Sequence, residues 1–146
     1  MSSAEYPERP VVAVGAVVFD AHERVLLIQR GRPPAVGAWS IPGGKVELGE
    51  AMETAVLREL TEETGLSGRS AGLCELLERV LRDDAGKVRF HYVLVDYFVT
   101  DVQGTMAPAG DVTDVRWYTM AEVATLTTTT DLPGFLSRAL QRWRSR

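Results

Sequence analysis

The 146-residue chain predicts an α+β domain built in layers. Three observations carry that class. Apolar, β-branched runs bounded by turn residues recur along the chain, helical periodicity is confined to three places, and 45% of the residues are apolar. The length supplies one good core and is too short for two, so residues 10–146 are read as a single domain behind a flexible, polar N-terminal segment, 1–9.

Val11 to Phe19 is apolar and β-branched, breaks at Asp20-Ala21-His22-Glu23-Arg24 and resumes as Val25 to Ile28, which predicts a hairpin. Gly31 to Gly37 contains Pro33 and Pro34 and predicts a loop, because proline has a fixed φ and no N–H to donate. Trp39-Ser40-Ile41 is a short extended piece, and Pro42-Gly43-Gly44 reads as a backbone turn. From Glu50 to Thr64 the residues are strong helix formers, with Met52, Ala55, Val56, Leu57 and Leu60 at helical spacings and Gly65 where a C-cap belongs. Leu73 to Leu81 and Val88 to Val102 predict a second hairpin around Asp83-Asp84-Ala85-Gly86-Lys87. Val112 to Tyr118 predicts a strand, Met120 to Leu126 a short helix and Leu132 to Trp143 a terminal helix, with Thr127 to Thr130 as a loop between them.

Charge and composition narrow the function. Sixteen basic and 20 acidic side chains give a net charge of -4, which repels a long phosphate polymer, so a nucleic-acid partner is not expected. Cys74 is the only thiol, which excludes an intrachain disulfide, and it reads as a passive strand residue. No run approaches the roughly 18 apolar residues of a membrane span, so the expectation is a soluble, cytoplasmic protein with no membrane partner. The arginines that close the chain, Arg138, Arg142, Arg144 and Arg146, read as cations complementing the dipole of a C-terminal helix.

The helix from Glu50 carries acid on an unexpected face. At about 100° per residue, Glu59, Glu62 and Glu63 share one side, and Ala55 and Val56 lie on that side a turn earlier. The acids therefore continue an apolar stripe and point inward or into a cleft. An acidic pair on a helix is commonly no more than a solvated patch. Here, however, uncompensated carboxylates would be taken out of water, at a cost that calls for a cation. Arg58, four residues before Glu62, neutralises one acid and leaves an excess of oxygen-only ligands, the chemistry that hard divalent ions such as Mg²⁺ select. The Pro-Gly-Gly segment ahead of the helix adds backbone groups beside a helix N-terminus, where an anion is favoured.

Read from Gly44 to Leu66, the segment matches the Nudix box, G-x5-E-x7-R-E-U-x-E-E-x-G-U with U aliphatic, at every specified position. The chain thus resembles the Nudix hydrolases, among them the compact ADP-ribose pyrophosphatase-like members. That resemblance implies an α/β/α sandwich with a mixed β-sheet between helices. It implies Glu59, Glu62 and Glu63 as ligands of Mg²⁺ or Mn²⁺, with a carbonyl oxygen of Gly43 or Gly44 in the shell. Arg58 would hold the glutamates and Glu50 would support that network, so that Glu50, Arg58, Glu62 and Glu63 form the catalytic group. A further acid from outside the box is common in the family, and Asp111 and Asp114 are the candidates. Arg30 and Lys45 read either as phosphate contacts or as surface cations, and Trp39 either as a stacking platform for a base or ribose or as a core residue. His91 alternates like an ordinary half-buried strand residue.

The reaction the resemblance implies is metal-assisted hydrolysis of a diphosphate linkage in a small nucleotide-derived substrate. ADP-ribose or a related nucleotide sugar comes first. A nucleoside triphosphate, common or oxidised, is the alternative, and a non-catalytic nucleotide-sensing module is a third. The lack of a G-x4-G-K-[ST] pattern after Gly44-Lys45 excludes a P-loop enzyme. Sheet edges and aromatic strands permit a homodimer.

Overall fold

The structure, a computed structural model, describes residues 4–146. Its elements run β1 (Val11–Val17), β2 (Val25–Arg30), β3 (Trp39–Ser40), β4 (Gly43–Lys45), α1 (Met52–Thr64), β5 (Ser67–Arg82), β6 (Val88–Gln103), β7 (Val112–Tyr118), α2 (Met120–Val123) and α3 (Leu132–Arg144). They form a four-stranded sheet in the order β4-β1-β6-β5 and a three-stranded sheet in the order β3-β2-β7. The larger sheet is mixed, because β1 runs parallel to β6 and antiparallel to β4.

Side-chain alternation along β1 and β2 shows why the strands lie between helices. Val14, Ala16 and Val18, with Leu26 and Ile28, pack with Ala55, Val56 and Leu60 of α1. The intervening residues Val17, Phe19, Val25 and Leu27 face the other way and pack with Phe135, Leu136 and Leu140 of α3. Strands buried on both faces read as continuous apolar runs, and this is the expected α/β/α sandwich.

The hairpin predicted for the first two runs is not the main pairing. β1 and β2 belong to different sheets, and the chain leaving β1 pairs with the start of β2 in a short hairpin, at the Phe19–Val25 bridge, where the Leu26 N–H donates to the Val18 carbonyl at 3.1 Å and where the Asp20 N–H donates to the Arg24 carbonyl at 2.9 Å. A strand apolar on both faces needs neighbours along both edges to stay out of water, and β1 takes them from β4 and β6, distant in sequence. The second hairpin forms as predicted and is longer than expected, with Asp83 accepting the Lys87 and Ala85 N–H groups in its turn. β7 keeps its predicted bounds, and 127–130 is a loop touching Trp39 by a single bridge at Thr128.

Pro42-Gly43-Gly44 is not a turn, because Gly43–Lys45 is the edge strand β4. Its glycines serve close approach: a Cβ on Gly44 would stand 2.5 Å from both carboxylate oxygens of Glu59. α1 begins two residues later than predicted and ends where expected, at Gly65, which adopts φ 77° and donates its N–H to Thr61.

The arginines of α3 do more than meet a dipole. Arg138 makes two hydrogen bonds to Glu75 of β5, at 2.8 and 3.0 Å, and Arg144 makes two to Glu23, at 2.6 and 2.7 Å. Cys74 is buried beneath this helix, and burial pushes its thiol up to about 12, which keeps it inert. The N-terminal segment expected to be flexible lies outside the described residues at 1–3. Its described part is tied down: the Tyr6 N–H donates to the Arg89 carbonyl at 2.7 Å and its hydroxyl to Asp83 at 2.8 Å. Among the described residues no helix is long and apolar enough to cross a membrane.

Candidate functional site

α1 places its acids against the free edge of β4, and that contact builds the site. Val46 donates to Val12 and Ala16 to the Pro42 carbonyl, which fixes the alternation of the β1–β4 ladder. Gly44 therefore faces β1, whereas the polar groups of Gly43 and Lys45 point outward. Two of those outward groups meet α1. The Gly43 N–H donates to Glu63 Oε1 at 2.8 Å, and the Lys45 carbonyl accepts from Arg58 at 3.1 Å.

Arg58 holds three glutamates at once. Its Nε donates to Glu50 at 2.7 Å, and its Nη1 to Glu59 at 2.9 Å and to Glu62 at 3.1 Å. The hydrogen bond from Arg58 holds the Glu50 carboxyl down at about 2. Glu59 is 2% exposed, and burial raises its carboxyl above the usual range despite the arginine. Glu63 is out of that network. Burial, followed by the charge of Glu59, pushes it up to about 7, although the Gly43 N–H and Arg30 act in the opposite direction. Glu62 is exposed, so the inward direction inferred for all three acids holds for Glu59 and Glu63 and fails for Glu62, which sits at the rim. Among the described residues no three acids, histidines or cysteines are gathered as a finished metal cage.

Beside Glu63 opens a cavity of about 540 Å³, walled by β1, β4, β6, the loop after β2 and the start of α3. Among the described residues, Glu63 is the one box glutamate that lines it, together with Gly43 and Gly44. Arg30 and Lys45 line it as well, which brings both predicted phosphate contacts to the predicted acid. Arg30 is steadied by donating to the Pro34 carbonyl at 2.6 Å.

Trp39 is not at the site. It is 8% exposed, sits in the core beneath α3 and stands edge-on to Tyr118 with ring centroids 5.0 Å apart. Its alternation along β3 turns it away from the cavity that its neighbour Ser40 lines. The two acids considered from outside the box separate. Asp111 lines the cavity and pairs with Arg32 at 2.9 Å, whereas Asp114 is turned to Arg116 at 2.8 Å. His91 stands away from the cavity beside Glu78, at 3.5 Å.

Arg32, Tyr92 and Asp96 are among the cavity residues that escaped the sequence reading. Arg32 lies inside the loop assigned from its prolines, and Tyr92 reads as one more strand aromatic. Asp96 did carry a visible signal, being the single charge in the apolar run from Val93 to Val99.

Known proteins resemble this chain in sequence and in fold. The archaeal "ADP-ribose pyrophosphatase" of Methanocaldococcus jannaschii is 38% identical over 102 residues, which are 70% of this chain and 57% of that protein. The "8-oxo-dGTP diphosphatase" of Proteus vulgaris is 37% identical over 91 residues, 62% of this chain and 75% of that protein. The crystal structure of a MutT NUDIX hydrolase from Burkholderia pseudomallei superposes with a TM-score of 0.78 at 28% identity, covering 90% of this chain and 98% of that one. The NUDIX domain family model matches residues 9–139, almost the whole described fold. With the box complete and its acids set on the edge of β4, the chain belongs to the NUDIX domain family.

Proposed function

We propose that the protein is a divalent-metal-dependent hydrolase of the diphosphate linkage in ADP-ribose or a related nucleotide sugar. The observation that supports this reading best is that one cavity is lined by Glu63 and Gly43 at the acidic edge and by Arg30 and Lys45 beside it. Ligands for a cation and cations for a phosphate thus border the same space. The similarity to the archaeal ADP-ribose pyrophosphatase supports the choice of substrate.

The residues suit a hard cation. Their donors are oxygens only, three glutamates surround one arginine while a fourth, Glu63, accepts from the Gly43 N–H, and Gly44 leaves room for the Glu59 carboxylate that any side chain would fill. Family members generally use divalent metal ions. Glu59, Glu62 and Glu63 would hold Mg²⁺ or Mn²⁺ together with the carbonyl of Gly43, which the ladder points outward; that of Gly44 is turned to β1. When bound, such an ion neutralises phosphate charge and lowers the pKa of water. Arg58 and Glu50 keep the glutamates in place, Arg30 and Lys45 orient the diphosphate, and a carboxylate of the acidic face takes the proton of the attacking water.

Product-resolved hydrolysis with Mg²⁺, Mn²⁺ or EDTA tests the reading. AMP and ribose 5-phosphate from ADP-ribose, lost in EDTA, are expected. A nucleoside monophosphate with pyrophosphate from a triphosphate establishes the second reading, which the likeness to the Proteus 8-oxo-dGTP diphosphatase favours. No turnover with either metal overturns both and leaves nucleotide sensing.

A further inference from the structure

Asp96 is a buried acid for which hydrolysis has no use. It lies on β6 opposite Gly15 of β1, is 4% exposed, and forms no hydrogen bond or ion pair among the described residues. The carboxylates of Glu75 and Glu23 each hold an arginine, whereas this one is left without a partner. Its oxygens are not among the sealed-off polar atoms without a partner, which among the described residues are Ser70 Oγ and His91 Nε2, so the carboxyl opens on the cavity, where holding it among apolar groups costs stability unless something polar meets it. Burial, with the charge of Glu75 added, pushes it up to about 7 against the opposing effect of Arg79. Arg79 itself donates to the Thr130 and Glu78 carbonyls.

The surroundings are built around this group. Gly15 is bare where a Cβ would collide with Asp96 Oδ1 and with Ile41, so β1 yields space to the carboxyl. Asp96 lines the same cavity as Glu63, Ile41 flanks the same space over Gly15 as its carboxyl, and the cavity's lining also includes the apolar side chains of Leu132 and Phe135. A carboxyl acceptor set beside apolar side chains suits a flat ring with N–H donors on its edge. It suits a hydroxylated sugar poorly, since the sugar's remaining hydroxyls would be stripped of water.

We infer that Asp96 is a specificity-determining residue that receives the amino edge of the substrate's purine base, with the diphosphate directed toward Glu63. This deepens the proposed hydrolysis and rests on it for the substrate class. Adenine offers the 6-amino group, and guanine offers its 2-amino group with the neighbouring ring N–H. The shared chemistry is an amino donor meeting the carboxyl.

Calorimetric binding in EDTA separates this from catalysis. The probes are AMP, GMP and purine riboside 5′-monophosphate, which is AMP without its amino group. The wild-type protein should bind AMP or GMP about tenfold more tightly than the amino-free nucleotide, the worth of one hydrogen bond to a charged or strongly polar acceptor. Whichever of AMP and GMP binds more tightly identifies the base. Asp96→Ala should erase the difference. Asp96→Asn, with one acceptor and one donor, should keep a preference for AMP and lose one for GMP. Equal binding of all three nucleotides by the wild-type protein overturns the inference without any variant. So does Asp96→Ala if it weakens all three alike, which is the result of a sugar contact. If ADP-ribose is not hydrolysed and the amino preference persists, the proposed reaction fails and the role of Asp96 stands.

Discussion

The two helices that enclose the sheets handle charge in opposite ways. Along α3, cations and acids are matched across elements: Arg138 on Glu75 and Arg144 on Glu23, and the arginine hydrogen bonds hold both carboxyls below the usual range. Along α1, one arginine serves three glutamates, a fourth rests on a backbone N–H, and burial drives Glu59 and Glu63 upward. Matched charge is what a fold settles into when nothing else is required. Uncompensated acid that burial opposes calls for a cationic ligand, so the contrast marks α1 as the helix on which the proposed metal role rests.

The contrast breaks most visibly at Glu63. Glu63→Gln keeps the shape and removes the charge, and turnover should fall by about a hundredfold or more with an unchanged circular dichroism spectrum. Near-normal turnover in a folded variant would remove Glu63 from the metal site. Arg58→Ala leaves Glu59 buried without its cation and should cost about 3 kcal/mol of stability, read by urea denaturation. A cost below about 1 kcal/mol would mean the glutamates do not depend on it.

Gly44→Ala sharpens the comparison from the backbone side. The new methyl displaces the Glu59 carboxylate, so metal affinity should fall about tenfold with small loss of fold, measured by Mn²⁺ titration. Unaltered affinity would show that Glu59 is not a ligand.

Glu63 and Asp96 both contribute to the pH dependence of the metal-free protein, and substitution isolates the share of Glu63. Its carboxyl is raised from 4.5 to about 7, so the folded state holds the proton more tightly than the unfolded state. The associated stability is fully present below about 4.5 and is lost as pH rises through about 7. Melting temperatures in EDTA should fall across that window for the wild-type protein and fall less for Glu63→Gln. Parallel curves would contradict the assignment. The smallest effect belongs to α3: Glu23→Gln removes an exposed ion pair and should leave melting temperature and turnover nearly unchanged. A large loss there would erase the contrast.

Much of this was legible in the chain. The helix ending at Gly65, the hairpin around Asp83 to Lys87 and the strand from Val112 to Tyr118 follow from local chemistry, namely caps, turns and periodicity. The acidic face of α1 and its guanidinium follow from spacing alone, because residues three and four apart on a helix are neighbours wherever the helix is placed. Partners distant in sequence were not legible. Nothing local tells β1 to pair with β6 or assigns β2 to the second sheet. Nor does anything local show that Gly43-Gly44 opens a strand bare enough to receive Glu59. Trp39 has the composition of a stacking residue and became core because β3 turns it under α3.

By itself, then, the sequence determined the family, the helix that presents the acids and the arginine that binds them, since all lie within one continuous stretch from Gly44 to Leu66. Only the tertiary structure decided which of those acids is buried, which carbonyl of the two glycines faces outward, and that Arg30, Arg32, Tyr92 and Asp96 border the same cavity as Glu63. Burial and ladder alternation arise from strands brought together across long stretches of chain, and local spacing carries no information about that closure.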